Sequence, residues 1–150
     1  MAPLDVSHTM TLPTPDHASV RVGDTLPVLE LPPVDRTTLA LFGGASGDHN
    51  AIHLDTDFAR RAGMPDVFAQ GMLGMAWLGR LLTNWAPQAR LRSFDVRFQG
   101  ITHLGHAIRC SGRVVETLEV DGVPCARVEI QSSNQYGQTR IAGVALVALA

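Results

Sequence analysis

Between residues 69 and 85 the chain reads AQGMLGMAWLGRLLTNW, apolar on nearly every side through Met72, Leu73, Met75, Ala76, Leu78, Leu81 and Leu82. Such a pattern predicts a helix buried on most of its faces. Glycines at 71, 74 and 79 weaken it by about 1 kcal/mol each relative to alanine, and close approach of another backbone would offset that loss. After Pro87 the period changes to alternation. RLRSFDVRFQG (90–100) sets Leu91, Phe94, Val96 and Phe98 among arginines and aspartate. HAIRCSGRVVETLEV (106–120) and VPCARVEIQSSNQYG (123–137) follow, joined by Asp121-Gly122, a strong hairpin signal. QTRIAGVALVALA (138–150) adds a further strand. Four successive strands with short turns predict an antiparallel meander. Together with the buried helix they predict an α+β domain whose sheet wraps the helix.

The first half of the chain is less regular. Residues 1–19 hold three prolines and no hydrophobic period, which predicts a flexible N-terminal arm and leaves 20–150 as a single domain. VGDTLPVLELPPV (22–34) reads as a short strand closed by a Pro-Pro break. Asp35 is placed to cap a helix through RTTLALFGGAS, ended by Gly43, Gly44 and Gly47. TDFARRAG (56–63) predicts a second short helix.

Composition narrows the function classes. The chain has 150 residues, 45% hydrophobic and 17% charged, which suits a globular domain with a core of its own. Its net charge is −2, with no basic run, so nucleic acid is not an expected partner. Cys110 and Cys125 form no C-x-x-C pair and fit no zinc spacing, so they read as buried packing residues in a reducing cytoplasm. The opening residues lack the basic and apolar regions of a signal peptide. The apolar stretch at 140–150 is too short to span a bilayer as a helix.

Candidate chemistry concentrates in SGDHNAIHLD (46–55). Asp48 and His53, five apart, would not share a helix face, but in a loop broken by Gly47 they can converge. A carboxylate and an imidazole aimed at one point can hold a water and move its proton, which is general acid–base chemistry. The competing reading makes Asp48 a cap and His53 a structural histidine. His49 and His53, with Asp48 or Asp55, would bind a metal only if a helix ran through 50–52 directly after a glycine break, so no metal is expected. Asn50 is placed to bond its own loop backbone. Asp55 or Asp57 is placed to cap the helix that follows. Gly71 opens the buried helix, where unpaired backbone N–H groups and a partial positive charge favour a developing oxyanion. The competing role for that glycine is tight packing.

Ser46, Gly47, Asp48, Asn50, Ile52 and His53, with Ala59 six residues later, resemble the signature of the MaoC-like dehydratases. This hot-dog-fold group includes the (R)-specific enoyl-CoA hydratases. AQGML (69–73) resembles the group's His-Gly-Met-Leu marker, and FDVRFQGITHLG (94–105) resembles a third. Two positions depart from the pattern: Ala51 stands at the usual proline and Gln70 at the usual histidine. The resemblance implies a hot-dog fold, a long central helix wrapped by an antiparallel β-sheet. It also implies reversible addition of water across the trans-2 double bond of an enoyl thioester. On that resemblance Asp48 and His53 activate the water and Gly71 N–H polarises the thioester carbonyl. Ser46, Gly47, Asn50 and Gln70 support them.

An acyl tunnel would draw on Phe68, Met72 and Met75, with Met64, Val67 and Trp77 as further candidates. Arg60, Arg61, Arg90, Arg92 and Arg97 are candidates for the carrier's phosphates. The resemblance implies no cofactor beyond the coenzyme A or acyl carrier protein thioester that is the substrate, and a homodimer, with a heterodimer as the alternative. Two other functions stay open: a non-catalytic acyl-binding subunit of a heterodimeric dehydratase, and a hot-dog thioesterase.

Overall fold

A computed structural model describes residues 19–149. The arm expected over 1–19 lies, except for Ser19, outside the described residues. Strand β1 (Leu29–Glu30) leads to helices α1 (Arg36–Ser46), α2 (Thr56–Arg61) and α3 (Gly71–Trp85). Strands β2 (Leu91–Phe98), β3 (Arg109–Val120), β4 (Val123–Ser133) and β5 (Thr139–Ala148) follow. The sheet is antiparallel throughout, in the order β1-β3-β4-β5-β2. It curls around α3, in agreement with the expected α+β hot-dog architecture.

The expected four-strand meander is corrected by this order. Only β3, β4 and β5 are consecutive neighbours, and β2 pairs with β5, matching Leu91 to Val147 and Phe98 to Ile141. Residues 99–108 are too many for a tight hairpin. They cross back over the sheet to β3 instead. Between β3 and β4 the expected turn is present: Asp121 and Gly122 have φ of 50° and 77°, the left-handed pair of a two-residue hairpin. The strand expected at 22–34 shrinks to β1 and an isolated bridge between Thr25 and Arg113. Leu26, Leu31 and Val34 still donate to the 106–112 segment, but Pro27, Pro32 and Pro33 have no N–H to continue the ladder.

Asp35 caps α1, its Oδ1 accepting from Thr38 N at 2.7 Å. The helix covers the RTTLALFGGAS stretch read as helical, Gly43 and Gly44 included, so of the three glycines only Gly47 stops it. It ends where Gly47 turns left-handed at φ 77°. Helix α3 buries Leu73, Leu78, Leu81 and Leu82 against Val114, Val128, Ile130, Ile141 and Ala145 of the sheet. Its glycines accommodate side chains, not the backbone anticipated from the sequence. A Cβ on Gly71 would meet the Phe98 ring, on Gly74 the Ile141 side chain and on Gly79 the Phe94 ring. The helix also keeps an exposed stripe at Met72, Ala76 and Arg80, because the sheet covers only part of its circumference. Cys110 and Cys125 are free and buried, as expected.

Candidate active site

The segment after α1 is shaped by its own side chains. Ser46 Oγ donates to Phe42 O at 2.7 Å and accepts from Asp48 N at 3.2 Å. One oxygen of Asp48 then accepts from Asn50 N, and Asn50 Oδ1 accepts from Ile52 N at 3.1 Å. Asn50 thereby caps a single 3₁₀ turn, Ala51–His53, the loop-bonding role read from the sequence. Asp55 caps α2 through Asp57 N and Phe58 N, so of the two aspartates it is Asp55 that takes this task.

These turns bring Asp48 and His53 together. His53 Nε2 lies 3.9 Å from Asp48 Oδ2. That gap is too long for a direct hydrogen bond and fits one bridging water. His53 is buried, with 9% of its surface exposed, while the Asp48 side chain is 41% exposed. His53 Nδ1 is 2.7 Å from the carbonyl oxygen of Phe68, and its ring stands edge-on to the Phe68 ring. A carbonyl only accepts, so Nδ1 carries a proton, and the tautomer of the uncharged ring that this contact selects presents its lone pair at Nε2. Asp48 Oδ2 and His53 Nε2 are then two acceptors facing one gap. A water between them donates one hydrogen to each and points its own lone pair outward.

Phe68 connects this pair to the start of α3. Ala69 N donates to Thr102 O at 2.9 Å, and Phe68 bridges His103. The crossing segment 99–108 thus clamps the residues before the helix. No side chain caps α3, and the Gly71 amide, in the first turn, has no intrahelical acceptor. Gln70 is fully buried, its Nε2 donating to Leu39 O of α1 at 3.0 Å. A node of Arg36, Thr56 and Asp66 ties α1, α2 and the 64–70 segment together: Arg36 meets Asp66 at 2.6 Å and Thr56 at 2.9 Å. The hydrogen bond from Arg36, with that from Val67 N, lowers the Asp66 carboxyl to about 2.

Beside Gly71 lies a cavity of about 310 Å³ lined by Phe68, Gln70, Gly71, Gly74, Phe98, Ile101 and Ile141, among others. Of the apolar residues expected to form a tunnel, only Phe68 lines it. Met72 is 56% exposed on the uncovered stripe, Met75 is half-buried outside the cavity, and Val67 is buried. The walls that sequence reasoning missed come from β2, β5 and the crossing segment, all distant along the chain. None of the five candidate arginines lines this cavity. A wider groove, about 700 Å³, lies on the outer face of the sheet among Asp95, Arg97, Arg113 and Glu129, away from the Asp48–His53 pair. Among the described residues, no group of three His, Cys, Asp or Glu side chains is placed to hold a metal ion. No helix among them is long and apolar enough to cross a membrane.

Residues 17–135 match the family model described as a MaoC like domain. The unliganded R-hydratase PhaJ1 of Pseudomonas aeruginosa superposes with a TM-score of 0.78 at 25% identity, over 89% of this chain and 84% of that one. The (R)-hydratase of A. caviae involved in PHA biosynthesis gives 0.75 at 24% identity, over 88% and 98%. One chain of the ChsH1-ChsH2 complex of Mycobacterium tuberculosis gives 0.74 at 24%, over 87% of this chain and 98% of that one. In sequence, the fatty acid synthase subunit beta of Saccharomyces cerevisiae is 27% identical over 95 residues, 61% of this chain. The match spans only 5% of that subunit's length.

Proposed function

Because the chain belongs to the MaoC-like domain family, we propose that it is a hydratase/dehydratase that adds water reversibly across the trans-2 double bond of an enoyl thioester. The observation that carries this is the 3.9 Å gap between Asp48 Oδ2 and His53 Nε2, joined through Phe68, which contacts His53, to a cavity that Phe68 and Gly71 both line.

In the forward direction a water held in that gap turns its free lone pair toward Cβ. As the O–Cβ bond forms, Asp48 takes one water proton and the alkene π electrons move into the thioester, making an enolate. The Gly71 amide, at the positive end of α3, stabilises the new charge on the carbonyl oxygen. His53 orients the water through Nε2, and the proton taken up by Asp48 passes across the gap to Nε2 and on to Cα, which collapses the enolate to the 3-hydroxyacyl thioester and returns both groups to their starting state. Dehydration runs the same steps backwards. Without polarisation of the carbonyl, Cβ is not electrophilic, so the three groups act as a unit. Asn50 and Ser46 hold the loop that aims Asp48, and Gly47 supplies the left-handed turn that starts it. Gln70 braces the start of α3.

The thioester is carried on coenzyme A or acyl carrier protein, no other cofactor takes part, and the enzyme works in the cytoplasm as a homodimer. The test is loss of the conjugated absorbance of crotonyl-CoA or a longer enoyl-CoA. Folded protein that turns over no chain length would refute the proposal. A second reading, an acyl-binding subunit of a heteromeric dehydratase, draws on the likeness to the ChsH1-ChsH2 complex. Purification in an obligate complex whose activity survives Asp48→Ala would favour it. Release of free thiol from saturated acyl-CoA would instead indicate a thioesterase.

A further inference from the structure

The cavity beside Gly71 has an open side and a closed one. Phe98 and Ile101, at the open side, are 54% and 40% exposed. At the closed side, Ile141 is 3% exposed and Gly74 is buried. These two residues meet so closely that a Cβ on Gly74 would lie 2.7 Å from Ile141 Cδ1. Ile141 reaches this place from β5, where it pairs with Phe98 of β2 and Ser132 of β4. Pairing on both sides leaves its backbone little freedom to retreat.

The geometry points to Ile141 and Gly74 as a gauge of acyl-chain length. This rests on the hydratase reading above and extends it to the substrate class: short-chain enoyl thioesters, of about four to six carbons. Two distances set the limit. With the thioester carbonyl at the Gly71 amide, Gly74 lies three residues deeper, about 4.5 Å along the helix axis at ~1.5 Å per residue. A zigzag chain covers that with about three or four carbon–carbon bonds of ~1.5 Å each. The cavity volume agrees, since about 310 Å³ stands at the lower end of the range for small-molecule sites. Beyond that depth the chain meets the Ile141 side chain.

The test is kcat/KM for crotonyl-, hexenoyl-, octenoyl- and decenoyl-CoA with the native protein and three variants. Native protein is expected to favour the first two over decenoyl-CoA by at least about 10-fold, the discrimination one surplus methylene produces at a closed wall. Ile141→Val deletes the Cδ1 methyl that rests on Gly74, and should raise the decenoyl-to-crotonyl ratio by about 10-fold. Gly74→Ala pushes that methyl into the cavity and should lower the hexenoyl-to-crotonyl ratio. The double variant, with room restored for the alanine, should return the ratio toward the native value. This compensation would not arise from a change in stability alone, and circular dichroism confirms that each variant folds.

Equal kcat/KM across the native series, or ratios unmoved in the folded variants, would overturn the gauge while leaving the hydratase reading intact. Turnover of none of the four substrates would overturn that reading and the gauge with it. Should Ile141→Val fail to fold, Gly74→Ala still decides the matter through the hexenoyl ratio.

Discussion

His53 Nδ1–H donates a hydrogen bond to the carbonyl oxygen of Phe68 across 2.7 Å. This one contact determines which nitrogen faces Asp48. Phe68 is in turn bridged to His103, so the crossing segment holds the acceptor that selects the tautomer. The Asp48–His53 pair is oriented by a backbone atom fifteen residues away from His53 in sequence.

Asp48→Asn and His53→Ala should each lower the hydration rate by at least about 10²-fold, since the first removes the carboxylate that takes the water proton and the second the ring nitrogen that orients the water. Steady-state assays on enoyl-CoA measure this, with circular dichroism as the control for folding. Near-native turnover by either folded variant would contradict the assigned roles.

Gly71→Pro isolates the amide. Proline is well suited to the first position of a helix, and Gln70, at φ −55° and ψ 135°, already has the extended conformation a following proline requires. A Cβ on Gly71 would stand 3.3 Å from the Phe98 ring, so the ring needs to give only slightly. The helix should therefore survive without its N–H, and kcat should fall about 10²–10³-fold, the usual cost of losing one oxyanion donor. Undiminished kcat would remove Gly71 from the mechanism.

Asp66 makes part of the stability pH-dependent. Its carboxyl is lowered from 3.8 to about 2 in the folded protein, chiefly by the Arg36 hydrogen bond. A group depressed on folding stabilises the native state above its unfolded pKa and loses that contribution as pH falls through the folded value. Asp66→Asn should therefore lower Tm near neutral pH, and the gap from native protein should narrow between about pH 4 and pH 2. A gap independent of pH over that window would contradict the ion-pair account.

Burial pushes the Cys110 thiol up to about 12, and Cys125 is 1% exposed. Neither should react with a disulfide reagent at pH 8 while the protein is folded, because the thiolate is the attacking species. Both should react on denaturation, which thiol titration reads directly. Fast labelling of the native state would show that the core opens.

Much of the site was legible in the sequence because it is local. Gly47, Asp48, Asn50 and His53 lie within one turn-forming stretch, and Asp48 and Asn50 each bond a backbone amide two residues on, a partner that follows from spacing. Helix α3 and the Asp121-Gly122 hairpin announced themselves by apolar period and turn chemistry. The Phe68 carbonyl did not, since a backbone acceptor leaves no trace in residue type. The cavity walls were hidden for another reason: Phe98, Ile101 and Ile141 meet α3 only through the pairing of β2 with β5. Alternation along a strand tells which side chains face inward and is silent about which strand lies alongside. Met72 and Met75 looked like tunnel residues because methionine and helical spacing suggest an apolar lining. The incomplete wrap of the sheet left Met72 outside.

The seat of Ile141 in β5 bears on how the enzyme is born. On the ribosome the loop with Asp48 and His53 emerges first, and the helix beginning at Gly71 follows. Neither has a pocket to serve until β5 slots between β4 and β2 and supplies the end wall. A nascent chain thus bears Asp48 and His53 long before the cavity is complete, and on the proposed reading catalytic competence waits for a strand far downstream of the groups assigned to the chemistry.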